Sequence, residues 1–255
     1  MSIFVRCLVP ALALAAFAQS PQEKGLELAR KIDAFNEGFV GEYSEMEMVL
    51  INAHGDETIR KLVNESAETE GDGDRSISTF LWPADVKGTR MLTWSHKDGD
   101  DDQWLYLPAL KRVKRISSRN KSGSFMGSEF SYEDLGSQEV EEYTHTFVED
   151  TEIDGRPCWK MERVPVSSRS GYSKEVVWFD QAYHNPLKIE YYDRKGELLK
   201  VSTFSDYKQF GKYWRAGRIE MENVQTRKRS VLTWSNRELG KQYGEAHFSS
   251  DSMVE

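Results

Sequence analysis

The strongest constraint on the fold is an alternation of apolar and polar residues that recurs along most of the chain. In residues 45–50, methionine and leucine alternate with glutamate and valine, the period of two expected of a strand. Turn-forming pairs such as Asp154-Gly155 and Asn185-Pro186 separate about a dozen such segments. The segments are 46–50, 58–63, 76–82, 90–95, 103–107, 144–149, 158–164, 175–180, 187–192, 198–204, 218–223 and 230–234. This spacing is typical of an antiparallel sandwich or barrel and argues against a parallel α/β fold.

One amphipathic helix precedes the strands. Ser20 suits a helix cap and Pro21 suits the first turn. Apolar residues then recur at spacings of three and four, which predicts a helix over residues 22–37. We therefore predict a mainly β fold with a few helices (α+β). No linker rich in proline, glycine or serine divides the chain, so residues 19–255 are predicted to form a single domain.

The first residues predict a secretory signal peptide, residues 1–18. Arg6 precedes an apolar run, and Ala16-Phe17-Ala18 has the small-x-small pattern of a cleavage site. The run is shorter than the roughly 20 residues that a membrane-spanning helix needs, so we favour cleavage over a permanent anchor. The expected location is the periplasm. After cleavage Cys158 would be the only cysteine, and we predict that it is buried rather than reactive.

A basic segment at residues 111–121 stands out in a chain whose net charge is −8. No acidic residue lies between Asp102 and Glu129. The segment suits a solvated strand face with Val113 and Ile116 buried, and it equally suits an electropositive rim for phosphate head groups or a docking partner. The overall negative charge argues against nucleic acid as a partner. The candidate rim residues are Arg112, Lys114, Arg115, Arg119 and Lys121.

Phe125 and Met126 follow directly and lie between Gly123 and Gly127. They could plug the end of the sheet, or they could form a mobile apolar tip that gates the mouth of a lipid cavity. Because proline and glycine interrupt the strand rhythm, we expect residues 108–138 to form a long loop or short helices.

Aromatic residues make up 12% of the chain and concentrate in the predicted strands. With one strong helix to cover so much apolar surface, the sheet must either close into a barrel or leave its concave face open to a ligand. An error of one residue in register would move a candidate to the other face. The predicted hydrophobic cavity is lined by Met46, Met48, Leu92, Trp94, Trp104 and Tyr106, with Phe125 and Met126 at its mouth.

Signals for catalysis or metal binding are weak. The five histidines have no ligand-like spacing. Residues 98–102 resemble the start of a calcium loop, but Gln103 replaces the loop glycine, so we favour a solvated acidic turn. There is no nucleophile elbow and no glycine-rich phosphate loop. We therefore predict that the protein is not an enzyme and needs no cofactor.

Two stretches carry a family resemblance: residues 103–116, QWLYLPALKRVKRI, and residues 121–135, KSGSFMGSEFSYEDL. Both resemble the periplasmic proteins usually labelled outer membrane lipoprotein-sorting proteins, a divergent branch of the LolA-like superfamily. Residues 176–180, 192–198 and 213–216 are also similar to that family's pattern. The resemblance implies a strongly curved antiparallel sheet, an open half-barrel with helices plugging its concave face, around a cavity for acyl chains.

The resemblance also implies partners. Members of this branch are often associated with exporters of the resistance-nodulation-division type. We therefore expect a carrier that hands lipid or lipoprotein acyl chains between such an inner-membrane exporter and an outer-membrane acceptor, with transient membrane contact. The alternative is a periplasmic adaptor that binds an exporter and carries no lipid.

Overall fold

The structure is a computed structural model, and it describes residues 19–254. The predicted signal peptide, residues 1–18, lies outside the described residues and stays a prediction. Within residues 19–254, no helix is long and apolar enough to cross a membrane.

The helix α1 (Pro21–Asn36) begins with a capping box, close to the predicted bounds. The Glu23 backbone N–H donates to the Ser20 hydroxyl at 3.2 Å, and the Glu23 carboxylate accepts from the Ser20 backbone N–H at 2.8 Å. These two bonds satisfy backbone donors that a helix otherwise leaves free at its first turn. The apolar stripe of α1 packs in a small cluster that contains Leu28, Ala29, Ile32, Val140, Trp159 and Met161.

Fifteen strands follow within residues 19–254, and each segment predicted as a strand lies in one of them, except that Ser95 falls just outside. They are β1 (Gly41–Ile51), β2 (Glu57–Ala67), β3 (Arg75–Trp82), β4 (Arg90–Trp94), β5 (Asp102–Leu107), β6 (Arg112–Ile116), β7 (Tyr143–Ile153), β8 (Arg156–Pro165), β9 (Tyr172–Asp180), β10 (Pro186–Asp193), β11 (Leu198–Ser205), β12 (Lys208–Phe210), β13 (Tyr213–Arg215), β14 (Arg218–Asn223) and β15 (Lys228–Leu239). Thirteen form one antiparallel sheet in the order β6-β5-β4-β3-β2-β1-β15-β14-β11-β10-β9-β8-β7. The short strands β12 and β13 pair only with each other.

The prediction of a loop over residues 108–138 is wrong at residues 112–116, which form the edge strand β6. Val113 and Ile116 are half-buried there, as the strand interpretation of the basic segment requires. The rest of the region is irregular, with short 3-10 turns at Pro108–Leu110, Ser118–Asn120 and Tyr132–Asp134. The prediction of a buried Cys158 is confirmed.

The large antiparallel sheet and the mainly β composition are confirmed, but the expected half-barrel shape is wrong. The sheet is neither closed nor strongly curled, and its edge strands β6 and β7 do not pair with each other. Residues 19–254 contain a single α-helix, so helices do not plug the sheet. Instead, the irregular residues 121–135, which we call the filling segment, cover much of one face. The large aromatic side chains of the filling segment fill the space over this face. The face is therefore buried without further helices and without strong curling of the sheet.

We call the face that meets α1 and the filling segment the inner face. Its core draws on both halves of the sheet and contains Met46, Met48, Leu62, Phe80, Val86, Met91, Leu105, Phe125, Phe130, Tyr172, Val177, Ile189, Tyr191, Met221 and Leu232. The two halves also meet through Asp100 in the β4–β5 turn, which accepts from the Ser167 hydroxyl at 2.9 Å and from Lys121 Nζ at 3.2 Å. The acidic turn is therefore a bridge at this residue rather than a solvated loop.

The opposite, outer face carries a smaller core. The C-terminal residues after β15 run back across β3 and β4, where Phe248 and Met253 bury Ile77 and Leu92. Two hydrogen bonds fix this segment: Trp94 Nε1 donates to the Phe248 carbonyl at 2.7 Å, and Arg90 donates to the Ser252 carbonyl at 2.5 Å. The C-terminal segment thus closes the outer face over these strands.

Candidate functional site

The eight predicted cavity residues do not line one cavity, because they lie on both faces of the sheet. Met46 and Met48 belong to the inner-face core. The other four strand residues, Leu92, Trp94, Trp104 and Tyr106, belong to the outer-face core under the C-terminal segment. Strands β4 and β5 carry apolar side chains on both faces, so alternation alone did not identify their inward positions. The prediction that all eight share one cavity is wrong.

Phe125 and Met126 do not form a mobile tip in this structure. Phe125 is 2% exposed, with its ring centroid 5.8 Å from that of Phe80 and 6.0 Å from that of Tyr132. Met126 packs against the same core, and its carbonyl accepts from the Arg60 guanidinium. The plug interpretation of this pair therefore holds, and the gating role stays a prediction.

Buried polar contacts anchor the filling segment to the sheet. The Asp134 carboxylate accepts from Lys200 Nζ at 2.6 Å and from the Tyr172 hydroxyl at 2.8 Å. The side chains of Asp134 and Lys200 are both more than nine-tenths buried. On the other half of the sheet, the Gln103 amide donates to the Tyr132 carbonyl at 2.8 Å. The segment is thus fixed by β5, β9 and β11, which lie far apart in the sheet order.

The predicted rim residues separate into free and paired groups. Arg112, Lys114 and Arg119 are exposed, and none makes an ion pair within the described residues. Arg115 pairs with Asp102, and Lys121 is mostly buried in its pair with Asp100. The free positive charge therefore concentrates on β6 and the turn after it.

The largest opening in the inner face is a cavity of about 900 Å³, which we call the α1 cavity. It lies between α1, the first residues of β1 and the last residues of β2 and β15. Its apolar wall is formed by Ala29, Ile32, Phe39, Phe179 and Trp234. Trp234 is the cross-strand partner of Met46, so the predicted cavity residue Met46 lies directly beside this wall. The volume is in the range of small-molecule sites.

One end of the α1 cavity carries two arginines around a single carboxylate. Glu42 lies 3.3 Å from Arg215 Nε and 2.8 Å from Arg237 Nε, and the side chains of all three are mostly buried. Two guanidinium groups against one carboxylate leave an excess of positive charge. A buried charge that has no partner costs free energy. An anionic group of a ligand would pair with the excess positive charge and remove that cost.

Asp74 carries the negative side of the same cavity. Burial raises its pKa to about 7, and the charges of Glu139 and Glu68 add to this, while Arg215 opposes it. Eight carboxylates and four basic side chains line the cavity, so its positive charge is confined to the end that holds Arg215 and Arg237. The cavity thus combines an apolar wall, a basic end and an acidic remainder that contains Asp74, which titrates near neutral pH.

The loop between α1 and β1 borders the cavity and is held in an unusual conformation. The Glu68 carboxylate accepts from the backbone N–H groups of Gly38 at 2.5 Å and of Val40 at 2.6 Å. Val40 has a φ of 72°, which is a strained conformation for a β-branched residue. The Glu68 contacts keep this loop in place beside Phe39.

Comparison with known proteins identifies the family. An outer membrane lipoprotein-sorting protein domain from Vibrio parahaemolyticus is 48% identical, with a TM-score of 0.90 over 92% of this chain and 100% of that chain. The chain belongs to the outer membrane lipoprotein-sorting protein family. A DUF1329 family protein from Desulfovibrio piger is 31% identical, with a TM-score of 0.87 over 92% of this chain and 99% of that chain. A family model described as "uncharacterized protein" matches residues 72–255. No curated protein matches the sequence.

The fold of this chain is also similar to that of a LolA superfamily protein. A LolA superfamily protein from Nitrosomonas europaea is 20% identical, with a TM-score of 0.72 over 89% of this chain and 98% of that chain. The family resemblance found in the sequence is thus confirmed, and this more distant likeness supports the fold alone.

Sequence patterns did not identify the charged residues of the α1 cavity. Arg237 lies beyond residue 234, where the last strand was predicted to end, although β15 continues to Leu239. Glu42 was detectable in principle, since it shares the parity of Met46 and Met48 and so points to the inner face. A charge at an inward position of a strand is a signal of a site rather than of a core.

A second cavity, of about 280 Å³, lies beneath the acidic turn of this family member. Burial raises the pKa of Asp101 to about 6, and burial with the charge of Asp101 raises the pKa of Glu142 to about 8. Within residues 19–254, no group of three histidine, cysteine or acidic side chains is arranged to hold a metal ion.

Proposed function

We propose that the protein is a periplasmic carrier that holds the acyl chains of a lipid or lipoprotein in the α1 cavity and hands them between membrane components. The observation that carries the proposal is the cavity of about 900 Å³ with an apolar wall and a basic end. An amphiphile needs both features in one site. The proposal requires reversible burial only and no catalytic step.

In the proposed complex, acyl chains lie against Ile32, Phe39 and Trp234, where each Å² of apolar surface removed from water contributes about 25 cal/mol. The core beside Met46 forms the floor. An anionic head group lies near Arg215 and Arg237, whose charge Glu42 only half neutralises. Specificity then depends on the polar end, because the apolar wall discriminates little between chains.

The exposed residues Arg112, Lys114 and Arg119 are proposed to meet lipid head groups or a docking partner. The candidate partners are an inner-membrane exporter of the resistance-nodulation-division type and an outer-membrane acceptor. The proposal includes cleavage of residues 1–18 and a single lipid-binding domain in residues 19–255. The carrier function is supported by the similarity to the Vibrio parahaemolyticus relative, which is described as an outer membrane lipoprotein-sorting protein domain.

A second candidate is a periplasmic adaptor that binds an exporter without carrying lipid. The filling segment favours this reading, because Phe125 and Phe130 already occupy much of the inner face. If the inner face had no other cavity, a carrier could bind lipid there only by displacing Phe125 and Phe130 from the core. The α1 cavity is the reason why we prefer the carrier.

The experiment is lipid uptake by the delipidated mature protein, followed by native mass spectrometry. A phospholipid or an acylated peptide should bind at about one per chain. Phe39→Glu, which puts a carboxylate into the apolar wall beside Arg215, should abolish uptake, whereas Val148→Glu on exposed β7 should not. A wild-type protein that stays free of every offered lipid would exclude the carrier and leave the adaptor.

A further inference from the structure

Three exposed large apolar side chains lie at one end of the sheet, on two loops that touch. Leu81 and Trp82, at the end of β3, are 47% and 50% exposed. Leu110, in the β5–β6 turn, is 63% exposed. The two loops touch, because Pro108 lies against Gly88 in the loop that follows Trp82. We call Leu81, Trp82 and Leu110 the apolar tip.

The exposure of the apolar tip is built into the fold. In the β3–β4 loop, the backbone N–H of Lys87 donates to the Pro83 carbonyl at 2.9 Å and that of Gly88 to the Phe80 carbonyl at 2.8 Å. Val86, which lies in the same loop, is buried in the inner-face core and anchors the loop. In the β5–β6 turn, the Lys111 N–H donates to the Pro108 carbonyl at 3.1 Å. The tip residues are thus presented outward by ordered backbone.

Positive charge surrounds the tip in a protein with a net charge of −8. Trp82 is the cross-strand partner of Lys61, and Leu107 is the partner of Arg112. Within the two loops and β6 the one acidic residue is Asp85. The basic side chains exposed at or beside the tip are Lys61, Lys87, Lys111, Arg112 and Lys114.

We propose that the apolar tip docks the protein on an anionic lipid bilayer, with Trp82, Leu81 and Leu110 entering the interface and the surrounding lysines and arginines binding head-group phosphates. Tryptophan is favoured at the boundary between acyl chains and water. Basic residues are attracted to anionic lipid surfaces. Three apolar side chains on two loop ends form a projection, which suits a soft bilayer better than a partner that requires a matching groove.

The position of the tip deepens the proposed carrier function, on which this part of the inference rests. Along β3, Trp82 lies at the tip and Asp74 precedes the other end, in the α1 cavity. Eight residues of strand separate them by about 25 Å. Docking through the tip therefore leaves the mouth of the α1 cavity free for an acceptor or donor.

The test is sedimentation of the mature protein with vesicles of phosphatidylethanolamine and phosphatidylglycerol, compared with vesicles of phosphatidylcholine alone. The wild type should bind the anionic vesicles, and binding should weaken as salt is raised. Leu81→Ser/Trp82→Ser/Leu110→Ser should lower the partition coefficient at least about tenfold. Lys111→Glu/Arg112→Glu should lower it by about tenfold or more, because two attractive charges become repulsive.

Matched variants separate the tip from general surface properties. Val148→Ser/Val166→Ser removes exposed apolar side chains elsewhere, and Lys208→Glu/Lys212→Glu makes the same change in net charge elsewhere. Both should bind vesicles like the wild type. Equal losses in control and tip variants, or a wild type that ignores anionic vesicles, would overturn the proposal, and the second result would point to a protein partner.

A depth measurement completes the test. Brominated acyl chains should quench part of the tryptophan fluorescence in bound wild type, and Trp82→Phe should remove that part while Trp94→Phe, under the C-terminal segment, should not. Lipid uptake by the tip variants should stay at the wild-type level. Loss of docking with intact uptake supports the tip alone, and loss of uptake in Phe39→Glu with intact docking concerns the cavity alone.

Discussion

Two parts of the inner face, built on strands β3 and β1 on either side of β2, differ in what covers them. Around Phe80 the filling segment packs aromatic side chains against the sheet and fixes them with buried contacts such as Asp134 to Lys200. Around Glu42 the same face borders the α1 cavity, where charged side chains replace the packing. The first region holds the sheet together, and the second is left open at a cost in stability. Such a cost is common where a site needs space and charge.

The largest predicted difference is in the unfolding free energy that is lost when one aromatic ring is truncated in each region. Phe125→Ala leaves a void in the filled region and should cost about 3–5 kcal/mol of unfolding free energy. For a chain of this size that lowers Tm by roughly 2–4 °C per kcal/mol. Phe39→Ala, at the half-buried cavity wall, should cost below about 1 kcal/mol. Thermal melts of both variants test this, and equal losses would contradict the contrast.

A smaller loss is expected from the anchor of the filling segment. Asp134→Asn leaves the Lys200 ammonium buried without its charged partner and should cost about 3 kcal/mol. Its control is Glu149→Gln, which breaks the exposed pair with Lys160 and should change stability by less than about 1 kcal/mol. Urea unfolding is the measurement. If Asp134→Asn behaved like the control, the anchor would not be what fixes the segment.

The region around the α1 cavity should instead make the stability of the protein depend on pH, through Asp74. The pKa of Asp74 is about 7 in the folded protein against 3.8 for the free side chain, mainly because of burial. The folded state therefore holds this proton longer, so stability falls as pH rises from about 4 to 7 and stays reduced above that. Asp74→Asn should remove this loss and raise stability at pH 8 by about 1–2 kcal/mol.

Asp72 provides a comparison of opposite sign. The hydrogen bond from His96 lowers the pKa of Asp72, so its contribution is present above the ordinary pKa and is lost as pH falls. When Tm is measured as a function of pH, Asp74→Asn should have a higher Tm than the wild type, and the difference should be largest at high pH. Asp72→Asn should have a lower Tm than the wild type, and this difference should also be largest at high pH. Parallel profiles for the two variants would show that neither carboxyl titrates as assigned.

The smallest effect concerns the strained rim of the cavity. Val40→Gly relieves a positive φ and should stabilise the protein by about 0.5 kcal/mol, net of the entropy that glycine loses on folding. Val164→Gly, at a regularly paired position of β8, should destabilise it by about 0.5–1 kcal/mol. Thermal unfolding that showed the same sign for both would mean that the loop beside Phe39 is not strained.

Sequence patterns predicted local structure well and spatial neighbours poorly. The helix cap at Ser20 and the bounds of most strands follow from residues that are close in the chain. Leu92 and Trp104 were assigned to the wrong face because β4 and β5 are apolar on both sides. Arg215 and Arg237 were not recognised because nothing in the sequence places them beside Glu42.

The sequence by itself determined twelve of the strands, the helix and the family, because alternation, capping and motif similarity are properties of short segments. It did not determine the edge strand β6 or the short strands β12 and β13. Only the tertiary structure decided which apolar residues became core and which stayed exposed. Phe125 is buried because Phe80 of β3 and Tyr132 meet it, whereas Trp82, two residues after Phe80, has no cover and remains half exposed. The physical reason is that burial depends on what packs against a side chain, and in an antiparallel sheet of thirteen strands those partners come from distant parts of the chain.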